Sequence, residues 1–174
     1  MATTFDYFNE AEEAACIRIN RLSRRQGVRQ FFSLVSQLGD GWFWGGVALL
    51  LVLARGADVL PGLLLVGIAA AAGIAIYKQL KLRLVRERPY INHREIRCGT
   101  APLDRYSFPS GHTLHAVSFT MLFHELEPLL TAVTLPFAML VAASRVILGL
   151  HYPSDVIIGA AIGATLGSIA ATMI

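Results

Sequence analysis

Apolar residues in this chain gather into long runs separated by short polar breaks. Phe31 to Ala54, Gly62 to Leu80, the stretch opened by Pro109-Ser110-Gly111-His112 and ending near His124, Leu129 to Leu150, and Pro153 to Ile174 each approach the length of a bilayer crossing. A helix needs roughly 18–20 apolar residues to cross. The pattern predicts an all-α integral membrane helical bundle of five spans, or six if the N-terminal segment also crosses. Residues 4–25 follow another rule. Phe5, Phe8, Ala11, Ala15, Ile19 and Leu22 recur at steps of three and four, acids come early (Asp6, Glu10, Glu12, Glu13) and bases late (Arg18, Arg21, Arg24, Arg25). Helical periodicity and dipole matching predict an amphipathic helix within residues 1–30 on the membrane surface, ahead of a bundle over 31–174. An arm packed on the bundle fits the same pattern nearly as well.

The breaks refine this outline. Gly39-Asp40-Gly41 interrupts the first run, so one helix is expected to end near Leu38 and Asp40 to cap the next, leaving Trp42, Phe43 and Trp44 at headgroup level. Pro89 is expected to stop the second span, residues 90–108 to form a polar connection, and Pro136 to kink the fourth span. Gly159, Gly163 and Gly167 form a small-residue stripe, suited to close packing inside the bundle or to a homodimer contact.

Composition agrees: 55% of residues are hydrophobic and the net charge is +3, too small and scattered for a nucleic-acid partner. Mean hydropathy is +0.55. The first thirty residues lack the order of a secretory signal, so no cleavage is expected. Cys16 and Cys98 are the only cysteines and are expected as free thiols.

Charges at a membrane boundary are costly without a task, and here they cluster. Loops 81–110 and 144–155 are separated by two crossings, so the polar clusters can meet at one end of the bundle. Ser144 to Asp155 holds the densest chemistry. Asp155 follows His151 by four residues, in reach of one imidazole nitrogen if the chain turns helical, which leaves the other free to attack an electrophile. Arg145 supplies a permanent forked cation suited to phosphate. Pro153 is well placed to open the following helix.

Together, Lys81, Arg88-Pro89, Pro109-Ser110-Gly111-His112, Ser144-Arg145, His151 and Asp155 resemble, at eleven residues in order, the signature of the type-2 phosphatidic acid phosphatase superfamily. The motif residues span 81–155, and the hydrophobic runs resemble the compact membrane branch. The first forty residues take no part. The resemblance implies that His151 attacks phosphorus to give a phosphohistidine, Asp155 orients its ring, and His112 is general acid and then base. It also implies that Lys81, Arg88 and Arg145 hold the phosphoryl oxygens, with Ser110 and Gly111 adding donors at a helix start. No metal and no cofactor are implied.

The expected substrate is a lipid phosphate or diphosphate met at the membrane surface. By analogy undecaprenyl diphosphate comes first, followed by phosphatidylglycerophosphate, phosphatidic acid and lipid A phosphate. A phosphotransferase fits the same residues. A non-catalytic anion transporter is the alternative from another class, though no second polar cluster lines the other half of the spans. His115, one turn from His112, is a secondary candidate for the site. The resemblance places the protein in a bacterial plasma (inner) membrane with an extracytoplasmic site. Positive charge argues the other way, since with five spans every Lys and Arg except Arg55 lies on the site's side, and a sixth crossing at the N-terminus would move five arginines but not the loop.

Overall fold

The computed structural model describes residues 4–102 and 104–174, with side chains from Glu10 onward, so the expectations for Phe5 and Phe8 lie outside the described side chains. The order is α1 (Thr4–Asn20), α2 (Gln26–Gln37), α3 (Phe43–Arg55), α4 (Leu60–Leu84), a single turn α5 (Pro89–Asn92), α6 (Gly111–Leu126), α7 (Thr131–Ile147) and α8 (Pro153–Ala171). Among the described residues the only β-type pairing is an isolated bridge between Glu87 and Tyr106. The expected all-helical membrane bundle is therefore what the chain forms. The stretches Gln26–Leu84, Pro128–Ile147 and Pro153–Ala171 contain helix long and apolar enough to cross a membrane. Leu53, Leu64, Leu129, Met139 and Ile157 point outward, each more than half exposed, as residues facing lipid must.

The central helix, α6, is less apolar than α3, α4, α7 or α8. Over its 16 residues α6 buries Thr113, Ser118 and Thr120 beside Leu114, Ala116, Leu122 and Phe123, and it packs on α8, α7 and α4. Enclosed on these sides, it carries several buried hydroxyls. Thr120, for example, donates to the Ala116 carbonyl at 2.8 Å. The glycine stripe explains the approach of α8. A Cβ on Gly163 would lie 2.2 Å from the Leu114 carbonyl oxygen, and one on Gly159 would lie 2.5 Å from that of Ser110. Of the two uses expected for the stripe, this structure shows packing inside the bundle.

Three expectations are corrected. Pro89 does not stop the second span: α4 ends at Leu84 with Val85 left-handed (φ 47°), and Pro89 instead opens α5. Asp40 makes no capping bond. The chain passes from α2 to α3 through a π-helical turn, Leu38–Trp42, with Gly41 at φ 142°. Trp42 is 81% exposed, but Trp44 is buried, 5.4 Å from the ring of Phe119 and 5.6 Å from that of Phe137. Its ring fills the core beneath the site, because the π-turn rotates α3 relative to the register of a continuous helix.

The N-terminal helix packs across the end of the bundle by a mixed face, with Ile17 and Ile19 against the cluster of Cys16, Ile96, Val146 and Tyr152 beside its polar contacts. Glu12, Cys16 and Asn20 are buried while Leu22 stays 48% exposed. Asn20 donates to the carbonyls of Arg97 and Ile147, both at 2.9 Å, and accepts from Arg97 N at 2.8 Å. Cys16 is buried and Cys98 exposed, and both are free.

Candidate active site

The expected motif residues converge at one end of the bundle, while Arg55 pairs with Glu127 across the α3 and α6 ends. Lys81 comes from the last turn of α4, Arg88 from the extended segment before α5, Gly111 and His112 from the start of α6, and Arg145 from the last turn of α7. With His151, Asp40, Asp104, Tyr77 and His115 they line a cavity of about 170 Å³. His115 thus joins the cavity wall, stacked on Phe119.

His151 stands on a turn that glycine makes possible. Helix α7 ends with Leu150 N and His151 N both donating to the Arg145 carbonyl, at 3.0 and 3.1 Å. Gly149 adopts φ +72°, and a Cβ there would meet Ile96 Cγ2 at 2.6 Å and the Arg97 carbonyl at 2.9 Å. Only glycine suits both demands. Arg88 Nη1 donates to the Leu150 carbonyl at 2.9 Å and lies 3.1 Å from His151 Nε2. Guanidinium nitrogens only donate, so Nε2 is the acceptor and carries the lone pair, leaving the proton on Nδ1. Burial, followed by the charges of Arg145, Arg88 and Lys81, pushes the His151 pKa well below its ordinary 6.5. The ring is therefore neutral at physiological pH.

Asp155 lies on the far side of that ring, with its Oδ2 3.6 Å from Nδ1. This is beyond hydrogen-bond length, and Nδ1 has no partner among the described residues. The carboxylate is fixed otherwise: Oδ2 accepts from Tyr152 N at 2.8 Å and Oδ1 from Arg86 Nη1 at 2.7 Å. Arg86 in turn reaches Glu12 of α1 at 2.6 Å, and Glu12 accepts from Ser154 N at 2.6 Å. Neither Arg86 nor Glu12 stood out in the sequence. The only hint was a base two residues before Arg88.

The three expected cations are buried. Lys81 and Arg88 share the carboxylate of Asp104. Burial alone would raise the Asp104 pKa, but hydrogen bonds and charge from Lys81 and then Arg88 outweigh it and hold the carboxyl below its usual range. Arg145 has no acidic partner among the described residues. Its Nη1 donates to Ser36 Oγ, and its Nε is buried without an acceptor. A buried guanidinium in this condition is uncompensated until an anion arrives. Gly111 lines the cavity, but the Ser110 hydroxyl turns away to Thr113 Oγ1 at 2.9 Å as the α6 cap. His112 Nε2 meets Asp40 Oδ1. The residue read as a helix cap holds a site histidine instead.

A helical membrane bundle with three histidines and three buried cations around a small cavity suits a membrane protein that handles phosphoryl groups. A sequence model of the PAP2 superfamily matches residues 62–174, and the chain belongs to that superfamily. It is 35% identical over 108 residues to decaprenylphosphoryl-5-phosphoribose phosphatase of Mycobacterium tuberculosis strain H37Rv, a match covering 61% of this chain and 58% of that relative's length. The Mycolicibacterium smegmatis protein of the same name is 34% identical over 159 residues, covering 85% and 81%. The crystal structure of Aquifex aeolicus LpxE superposes with TM-score 0.72 at 26% identity, covering 91% of this chain and 93% of that one. A transmembrane PAP2 type phosphatidylglycerolphosphate phosphatase from Bacillus subtilis shares the fold, with TM-score 0.68 at 24% identity over 97% and 86% of the two chains.

Proposed function

We propose that this chain is a membrane lipid phosphatase working through a phosphohistidine at His151. The observation that carries the reading is Arg145, a buried guanidinium without an acidic partner among the described residues, facing the same cavity as Lys81, Arg88, His112 and His151. In the first step Arg88 Nη1 turns from His151 Nε2 to a phosphoryl oxygen, the freed Nε2 lone pair forms a bond to phosphorus as the ester P–O bond breaks, and the lipid oxygen leaves with a proton from His112. Water then attacks the phosphohistidine, giving its proton back to His112 and releasing inorganic phosphate. Lys81, Arg88 and Arg145 offset the charge on the transferring oxygens, and Gly111 at the start of α6 offers a backbone donor. A shift of a few tenths of an ångström would bring Asp155 into hydrogen bond with Nδ1 as the ring gains charge.

The substrate class we infer is a polyprenyl-linked phosphate. The mycobacterial relatives are named for a decaprenyl substrate, and undecaprenyl diphosphate, first by analogy at the level of sequence, belongs to the same class. Phosphatidylglycerophosphate and lipid A phosphate follow. With α1 laid across the end of the bundle, the cavity opens at headgroup level, in a bacterial inner membrane and on its extracytoplasmic face. Purified protein given a panel of these lipids should release phosphate from at least one. It should do so in excess chelator, because Lys81, Arg88 and Arg145 supply the positive charge. Anion binding without phosphate release from any lipid would favour the transporter. Sidedness has its own test, since Cys98 is exposed and Cys16 buried. An impermeant maleimide is expected to label Cys98 in intact cells; protection until lysis would place the site in the cytoplasm.

A further inference from the structure

The clamp is already occupied by part of the protein. Lys81 Nζ donates to both carboxylate oxygens of Asp104 at 2.8 Å and to the Tyr106 carbonyl at 2.9 Å. An ammonium has three N–H groups and no more, so a phosphoryl oxygen cannot gain a full hydrogen bond from Lys81 while that carboxylate stays. Arg88 gives Nη2 to Asp104 Oδ1 at 2.8 Å and Nε to the Asp104 carbonyl at 2.9 Å. The side chains of Lys81 and Arg88 are 8% and 2% exposed, whereas that of Asp104 is 39% exposed. The cations are fixed in the wall, and the anion sits at the edge of water with room to leave.

We infer that Asp104 is the resident counterion of the phosphate clamp, and that exchanging its single negative charge for the incoming group selects phosphomonoester dianions over phosphodiester monoanions. The inference rests on the lipid phosphatase reading of the same cavity. A diester that displaces Asp104 trades one negative charge for one. It must also repeat, on buried cations, a set of short bonds that the carboxylate already makes well. A monoester dianion brings a second unit of charge to three clustered cations, of which Arg145 has no acidic partner among the described residues. The distinction matters at this location. A cavity opening at headgroup level faces a dense layer of phosphodiester lipids, and bare cations would bind them. The carboxyl of Asp104, held below its usual range by Lys81 and Arg88 against the effect of burial, keeps its charge across physiological pH.

The test uses the full chain in detergent micelles, with Asp104→Asn, Asp104→Ser and the charge-keeping Asp104→Glu beside the wild type. Hydrolysis of a lipid monophosphate is measured against phosphatidylglycerol, with diacylglycerol at equal mole fraction as the control for surface dilution. Orthovanadate and phosphatidylglycerol binding are measured separately by calorimetry. In wild type and Asp104→Glu, phosphatidylglycerol should inhibit no more than diacylglycerol. In Asp104→Asn and Asp104→Ser it should become a competitive inhibitor, and vanadate should bind about three- to fivefold more tightly, the scale of a part-exposed charge pair. Weaker vanadate binding with continued indifference to phosphatidylglycerol would make Asp104 a positioning residue for the cations and overturn the inference. So would loss of folding in both uncharged variants. A wild type that hydrolyses no lipid, while the uncharged variants gain affinity for phosphatidylglycerol, would sink the phosphatase reading and leave the counterion in place.

Discussion

His151→Ala is expected to abolish turnover of every substrate, a loss of at least about four orders of magnitude, because the proposed phosphohistidine forms on this ring. His112→Ala should behave differently. A general acid contributes roughly 10²–10⁴-fold, most where the leaving oxygen is strongly basic, as in an alkyl lipid phosphate. An aryl phosphate with an acidic phenol leaves with little protonation, so His112→Ala should keep a larger fraction of its activity on the aryl ester. If hydrolysis of the phosphoenzyme then limits the rate, an acid-labile phosphate should accumulate on His151. Both variants, assayed side by side on both esters with single-turnover phosphate transfer, decide the roles. Equal losses of His112→Ala on the two esters, with no trapped adduct, would remove the leaving-group role. Burst formation of an adduct in His151→Ala would end the nucleophile assignment.

The second large effect is on the fold. Gly163→Leu places a side chain where even a Cβ lies 2.2 Å from the Leu114 carbonyl oxygen, so α8 must move off α6. Overpacking against backbone with nowhere to shift should cost about 3 kcal/mol or more. For a chain of this length that lowers the melting temperature of the solubilised protein by roughly 6–12 °C. Activity should fall with it, since α6 carries His112 and α8 carries Asp155. Gly67→Leu is the control, because nothing lies within 4 Å of a Cβ there. Similar losses at Gly67 and Gly163 would mean that glycine content, and not the α6–α8 approach, sets stability.

The contrast between these two glycines shows what kind of information each level holds. Both stand in apolar helical runs, and the sequence separates them only through the four-residue spacing of Gly159, Gly163 and Gly167. That spacing sufficed to predict close packing, because a helix repeats its faces at that step. It could not name α6 as the partner. The same limit applies to the carboxylates. Asp40 next to glycines has the local signature of a cap, and only the π-turn and the return of the chain 72 residues later bring it to His112. Asp104 sits among loop charges in the sequence, 23 residues from Lys81, with no periodic relation to it. Glu12 and Arg86, 74 residues apart, met no motif at all.

The sequence by itself determined the membrane bundle and picked out side chains that the structure gathers at one end of it. Hydropathy sums residue by residue, and the end of the bundle at which a loop emerges follows from the parity of crossings between loops. Those properties need no knowledge of packing. Tertiary structure alone decided who compensates whom: Asp104 on Lys81 and Arg88, Asp40 on His112, Arg86 and Glu12 behind Asp155, and Arg145 with no acidic partner among the described residues. Charge pairing falls off over a few ångströms, so it depends on distances that chain separation does not encode. In this chain those distances are set by helices meeting at one end of a bundle.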